Sequence, residues 1–189
     1  MTLAVLLHGL AGSEADMQPI AGRIPHRSVC LRAPFPCGQG YSWFSWPRGY
    51  EDATTENATP IAQSVLDVIQ TERRGDEPVL AIGWSQGAAV VVEAMRLAPG
   101  VIDRAILAAG FPLHGTRPTD ARLAERAPPV HWVRGSADDV VPPAEVAGLG
   151  EFLSEHTRLE TTVLDGVGHE LRGQLTDEVV RLAAPSIRG

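Results

Sequence analysis

Val79-Leu80-Ala81-Ile82-Gly83-Trp84-Ser85-Gln86-Gly87-Ala88-Ala89 is the stretch on which the reading of this chain turns. Val79–Ile82 is a short apolar strand, and Gln86–Leu97 begins small and apolar and continues as an amphipathic helix. Between them stands Gly83-x-Ser85-x-Gly87. A tight strand-to-helix turn forces strained dihedrals on its central residue. Its flanking positions must be small, so that strand and helix can approach without clashing. Glycine at 83 and 87 meets that need and leaves the Ser85 hydroxyl exposed at the top of a sheet.

Outward from this turn, runs rich in Val, Ile and Leu recur at Leu3–Leu7, Ser28–Arg32, Arg104–Ala108, Val130–Val133 and Leu159–Leu164. Several show little polar alternation, as parallel strands buried on both faces do. Helical patterns lie between them. Ser13–Arg23 has an N-cap candidate in Ser13, and Asn57–Arg74 carries Ile61, Val65, Val68 and Ile69 on one stripe. Pro143–Glu155 opens with proline, a favoured first-turn residue, and a last helix is expected over roughly Glu170–Ala183. Ala109–Pro129, rich in Pro, Gly and Thr, reads as a loop with at most a short helix. The alternation of strands and helices implies an α/β fold with a parallel sheet. A length of 189 residues fits a single domain spanning 1–189.

Composition narrows the function. The 16 basic and 23 acidic residues give a formal net charge of -7, so the basic footprint of a nucleic-acid binder is missing. Cys30 and Cys37 make neither a disulfide framework nor zinc spacing, and no metal or organic cofactor is expected. No apolar run approaches the roughly 20 residues of a membrane span. Met1–Leu7 is apolar but lacks a positive n-region and an A-x-A site, so it reads as the first strand. A cytoplasmic location is the expectation.

A second motif, His8-Gly9-Leu10-Ala11-Gly12-Ser13, follows that first strand directly. A loop there can aim a backbone N–H at an ester oxygen. Together with the elbow it resembles the α/β-hydrolase fold, and more closely the carboxylesterase/phospholipase branch that includes acyl-protein thioesterases. Two further segments carry the resemblance: Gly135-Ser136-Ala137-Asp138-Asp139-Val140-Val141-Pro142 and Gly166-Val167-Gly168-His169. All four occur in the order of that branch and span nearly the whole chain. The chain departs from it in having one strand, not two or more, before the His-Gly loop. The sheet is therefore expected to be trimmed to about six mostly parallel strands, with helices on both faces. The Ser28–Arg32 strand would lie at an edge, next to Leu3–Leu7, where it could pair with another subunit. A monomer or a homodimer is expected.

A serine hydroxyl is a weak nucleophile at neutral pH and needs an adjacent base, and a carboxylate holds that imidazole in the right tautomer. The fold requires the chain order Ser, acid, His. Ser85, Asp138 and His169 satisfy it. His8, His26, His114 and His131 all precede Asp138, and His156 ends a helix. For the acid, the resemblance favours Asp138, with Asp139 and Asp165 as alternatives. The backbone N–H groups of Leu10 and Gln86 are expected to form the oxyanion hole.

Tyr41–Tyr50 holds half of the chain's ten aromatic residues, so this segment, with Trp43 and Phe44 foremost, is read as one wall of the substrate pocket. A lid packed on the sheet or a subunit contact is the alternative. Trp84, with Phe111, Leu113 and His114, is read as the other wall. No long insertion supplies a large lid, so an open cleft for small to medium esters is expected. The function read from these residues is a serine esterase acting on small-molecule esters. Thioester or lysophospholipid hydrolysis is the near alternative, and a binding protein with a dead site the distant one.

Overall fold

The computed structural model describes residues 1–184. Its elements in chain order are β1 (Leu3–Leu7), α1 (Gln18–Ala21), β2 (Arg27–Leu31), β3 (Phe35–Cys37), β4 (Gly40–Ser42), α2 (Thr55–Glu72) and β5 (Val79–Trp84). There follow α3 (Gln86–Leu97), β6 (Arg104–Ala108), α4 (Asp120–Arg126), β7 (Pro129–Gly135), α5 (Pro143–His156), β8 (Arg158–Leu164) and α6 (Gln174–Ala183). Six strands form one parallel sheet in the order β2-β1-β5-β6-β7-β8. β2 lies at the edge beside β1, as the resemblance implied.

The strands' residues alternate between two cores, as a period of two requires. Leu3, Val5, Leu7, Val79, Ala81, Leu107 and Trp132 pack with α2, α3 and α5 on one face. Ala4, Leu6, Leu80, Ile82, Ile106 and Val133 pack with Ile20 of α1 and with Leu175 and Val179 of α6 on the other. Both faces are covered, which explains why β1 and β5 carry so little polar alternation.

Several expected boundaries move for local reasons. Ser13 does cap its segment, accepting the Ala15 N–H at 3.3 Å, but Glu14–Met17 is a 3-10 turn and only Gln18–Ala21 is α-helical. The edge strand starts at Arg27, which pairs with Leu3, and ends before Arg32, whose guanidinium leaves to grip Glu14. The second helix starts at Thr55 because Thr54 accepts the Asn57 N–H at 3.2 Å. The last helix starts at Gln174, not Glu170: Gly173, at φ 53°, breaks the chain there. The β3–β4 hairpin was not expected at all.

The site's position follows from the strand order. β1 is flanked by β2 on one side and β5 on the other, so the connections diverge there and open a crevice at the strands' carboxyl ends. Leu7 and Gly83 are register partners. The loop after β1 and the elbow after β5 therefore emerge side by side.

Candidate active site

Ser85 sits between β5 and α3 at φ 53° and ψ −117°, a strained conformation for a residue with a side chain. Its N–H is held by the Ala108 carbonyl at 2.9 Å. The crowding around it accounts for both glycines of the motif. A Cβ at Gly83 would lie 2.5 Å from the Ala88 Cα, and one at Gly87 would lie 2.5 Å from the Leu7 and His8 carbonyl oxygens. The sheet and α3 meet backbone to backbone.

The acid loop leaves β7 and the histidine loop leaves β8. They are stitched together by the Ala137 N–H, which donates to the Val167 carbonyl at 3.0 Å. That bond fixes Asp138 and His169 as neighbours. His169 Nδ1 lies 2.8 Å from Asp138 Oδ2, and His169 Nε2 lies 2.9 Å from Ser85 Oγ. An ionised carboxylate only accepts, so Nδ1–H donates to Asp138 and Nε2 accepts the Ser85 hydroxyl. The second oxygen of Asp138 accepts the Val140 and Val141 N–H groups at 3.0 and 3.1 Å. Asp139 points to solvent, and Asp165 accepts from the Ser136 hydroxyl at 3.1 Å. Neither is the carboxylate that meets His169.

The other histidines are engaged elsewhere. His26 bonds the Ala183 carbonyl, His156 the Phe152 carbonyl, and His131 the Thr162 hydroxyl. His114 lies 3.6 Å from Glu145. His8 is fully buried. Its Nε2 accepts the Ala33 N–H at 3.1 Å, so its proton is on Nδ1, which donates to the Gly9 carbonyl at 2.7 Å.

The Gly9–Gly12 turn is closed by the Gly12 N–H on the Gly9 carbonyl at 3.2 Å. Leu10 is the first of its two central residues, and its N–H plays no part in that bond. The turn lies on the elbow: a methyl at Gly9 would be 3.3 Å from Ser85 Cβ. Gln86 opens α3, so its N–H has no intrahelical acceptor. The loop that carries Leu10 and the first turn of α3 thus both lie beside the serine.

The expected pocket walls come out differently. Trp43 and Phe44 are 2 % and 1 % exposed, so they pack beneath the crevice and offer no wall to it. The reason is the Gln86 side chain. Its Oε1 accepts the Trp43 N–H at 2.8 Å and the Ser42 hydroxyl at 3.2 Å, and its Nε2 donates to the Phe44 carbonyl at 3.3 Å. The Trp43 indole N–H is spent on the His8 carbonyl at 2.7 Å. Phe111 is buried in a cluster with Trp46 and Tyr50, each at a ring separation of 5.1 Å. Leu113 lines a separate cavity of about 380 Å³ with Arg96, His114, Glu145 and Phe152. Trp84 is half-buried, its ring 5.9 Å from that of His169. Tyr50, not singled out within the Tyr41–Tyr50 segment, donates its hydroxyl to the Val140 carbonyl at 3.0 Å. The only signal for it was its place in the aromatic segment. Among the described residues no group of three or more His, Cys, Asp or Glu side chains is disposed to hold a metal ion.

Comparison with known proteins places the chain in a family. The phospholipase/carboxylesterase family model matches residues 2–181. Esterase YpfH of Escherichia coli is 24% identical over 181 residues, covering 89% of this chain and 76% of YpfH. The solved carboxylesterase of Mesorhizobium loti superposes with a TM-score of 0.80 at 23% identity, over 97% of this chain and 89% of that one. Acyl-protein thioesterase 2 of Zea mays does so with a TM-score of 0.78 at 22% identity, over 96% and 91%. The six-stranded sheet is thus an α/β-hydrolase fold, and the chain belongs to the phospholipase/carboxylesterase family of hydrolases.

Proposed function

We propose that the protein is a serine esterase cleaving small to medium carboxylic esters through an acyl-enzyme. The observation that carries this reading is the continuous chain Asp138–His169–Ser85, with contacts of 2.8 and 2.9 Å. Ser85 Oγ attacks the ester carbonyl while His169 Nε2 takes its proton. Asp138 faces the imidazolium that forms, and its own two backbone donors hold it still. The tetrahedral oxyanion is received by the N–H groups of Leu10 and Gln86, a contribution typically worth about 10²–10³ in rate per donor. The imidazolium gives its proton to the leaving alkoxide, and the alcohol departs. Water then attacks the acyl-serine, with His169 again taking a proton, and collapse returns Ser85 and releases the carboxylic acid.

The same steps cleave a thioester. The fold shared with the Zea mays acyl-protein thioesterase is the reason to include thioesters among the substrates tested. Among the described residues no helix is long and apolar enough to cross a membrane. A cytoplasmic monomer or homodimer acting on a small-molecule ester completes the proposal. The test is a panel of p-nitrophenyl esters and acyl thioesters of graded chain length, run with wild type and Ser85→Ala, beside labelling by a fluorophosphonate. The expected result is labelling at Ser85 and a loss of at least about 10⁴ in kcat for Ser85→Ala, as for removal of a triad nucleophile. An unlabelled, inert wild type would point instead to a binding protein.

A further inference from the structure

The two N–H groups proposed for the oxyanion hole lie on different elements, Leu10 after β1 and Gln86 at the start of α3. Neither meets an acceptor among the described residues. The sheet brings them near each other, but pairing between β1 and β5 stops at Leu7 and Gly83. Beyond those residues another contact has to fix how far apart the two donors stand.

One buried side chain reaches both carriers. Trp43 is 2 % exposed. Its indole N–H donates to the His8 carbonyl at 2.7 Å, and its backbone N–H donates to Gln86 Oε1 at 2.8 Å. Its ring lies 5.1 Å from that of His8. The hold on His8 extends to Leu10. A trans peptide points its C=O and N–H in opposite directions, so the Gly9 carbonyl fixes the aim of the Leu10 N–H. That carbonyl accepts from His8 Nδ1 at 2.7 Å and from the Gly12 N–H at 3.2 Å. The far end of the turn rests on the residues just before Trp43. The Tyr41 N–H donates to the Gly12 carbonyl at 2.8 Å, and a Cβ at Gly40 would lie 2.1 Å from the Ala11 oxygen. Ala11 sits at φ 58°, a conformation that its surroundings must hold. On the other side, the Gln86 amide also accepts the Ser42 hydroxyl and donates to the Phe44 carbonyl.

We propose that Trp43 is a positioning residue for the oxyanion hole, a strut between the turn that carries Leu10 and the helix start that carries Gln86. This inference rests on the esterase reading and on those two amides as the donors. Trp43 touches no substrate. It sets the spacing of the donors, and so acts on the tetrahedral oxyanion more than on the trigonal ester.

Trp43→Phe keeps an aromatic ring and the backbone bond to Gln86 and removes the indole donor. Gln86→Ala cuts the strut at its other end. For each, kcat/KM on p-nitrophenyl butyrate is measured per site titrated to completion with a fluorophosphonate. A fall of about tenfold is expected, less than the roughly 10²–10³ for outright loss of a donor. The inhibition constant of an alkyl trifluoromethyl ketone, whose adduct with Ser85 is a tetrahedral oxyanion, should rise by the same factor. That of the matching methyl ketone, bound as a trigonal carbonyl, should stay within about twofold. The double variant should lose little more than the larger single loss, because one strut is cut twice. Unchanged kcat/KM in Trp43→Phe, equal weakening of both ketones, or losses that multiply in the double variant would each overturn the proposal. Gln86→Ala carries the same ketone comparison if Trp43→Phe fails to fold. These results, obtained with an active wild type, overturn the strut alone. A wild type that neither labels nor turns over ester overturns the esterase reading and the strut with it.

Discussion

The Nε2 atom of His8 accepts a hydrogen bond from the backbone N–H of Ala33, and both partners are buried. A protonated imidazole would present N–H to N–H at this contact. Burial is also the main cause that holds the His8 imidazole below the ordinary histidine value, against the opposing pull of the Gly9 carbonyl, Asp16 and Glu14. The consequence is a stability term with a definite sign. Above the ordinary value of about 6.5, His8 is neutral whether the chain is folded or not. Below it the unfolded chain takes up a proton that the folded one refuses, so stability falls as pH falls, until the folded His8 itself titrates. His131, lowered first by burial, adds a slope of the same sign. Melting temperature recorded from pH 8 down to about pH 5 should therefore drop below the ordinary value. His8→Leu should lower the whole curve by about 1–3 kcal/mol, through the orphaned Ala33 N–H, and should flatten its acid limb without abolishing it.

Adjacent aspartates make the acid position a sharp test. Only Asp138 meets His169, while its neighbour Asp139 is solvated. Asp138→Asn would offer the imidazole an amide in place of a carboxylate and can stabilise the wrong tautomer, at a cost of about 10⁴ in kcat by analogy with other triads. Asp139→Asn should leave kcat within a few-fold of wild type. Steady-state hydrolysis of p-nitrophenyl butyrate distinguishes the two, and the reverse ranking would remove Asp138 from the mechanism.

How far the sequence could be read follows from the same contrast between local and distant causes. Gly83 and Gly87 are local necessities, since any side chain there meets backbone at 2.5 Å. The elbow was therefore legible from five residues. That the sheet is parallel was legible because parallel strands need helical crossovers, and the chain alternates accordingly; the place of its edge strand came from the resemblance. Trp43 and Phe44 were misplaced because their burial is decided by the amide of Gln86, more than forty residues away. Neither aromatic character nor position after β2 reveals such a tie. The β3–β4 hairpin escaped for a different reason: its strands are three residues long, and one contains Pro36, which argues against a strand.

Gln86 thus has two separable parts. Its backbone N–H is proposed to receive the oxyanion, and its side chain anchors Ser42, Trp43 and Phe44. Gln86→Ala keeps the first and deletes the second, leaving the buried Trp43 N–H without a partner. A stability loss of about 1–3 kcal/mol is expected in denaturant melts. The catalytic loss should be far smaller than that of Ser85→Ala. If turnover vanished while stability held, the anchoring role would be the wrong account of this side chain.

Tyr50 ties the buried aromatic cluster to the acid loop. Its ring packs edge-on against Trp46 at 5.2 Å and Phe111 at 5.1 Å, and its hydroxyl donates to the Val140 carbonyl of the acid loop. Burial, followed by the charges of Asp138 and Glu145, pushes its phenol up to about 12, so the donor persists across the working range of an imidazole base. If ester groups lodge between this cluster and the acid loop, a bulky one has to break that hydrogen bond and a small one does not. Tyr50→Phe keeps the aromatic packing and removes only the tie, whose net worth is about 1 kcal/mol. That figure corresponds to roughly a five-fold change in a rate ratio. The kcat/KM for octanoyl over acetyl p-nitrophenyl esters should therefore rise by about that factor in Tyr50→Phe, with the acetyl ester little changed. An unaltered ratio would show that ester size is set elsewhere in the crevice, and a uniform fall for both esters would assign Tyr50 to holding the Asp138 loop.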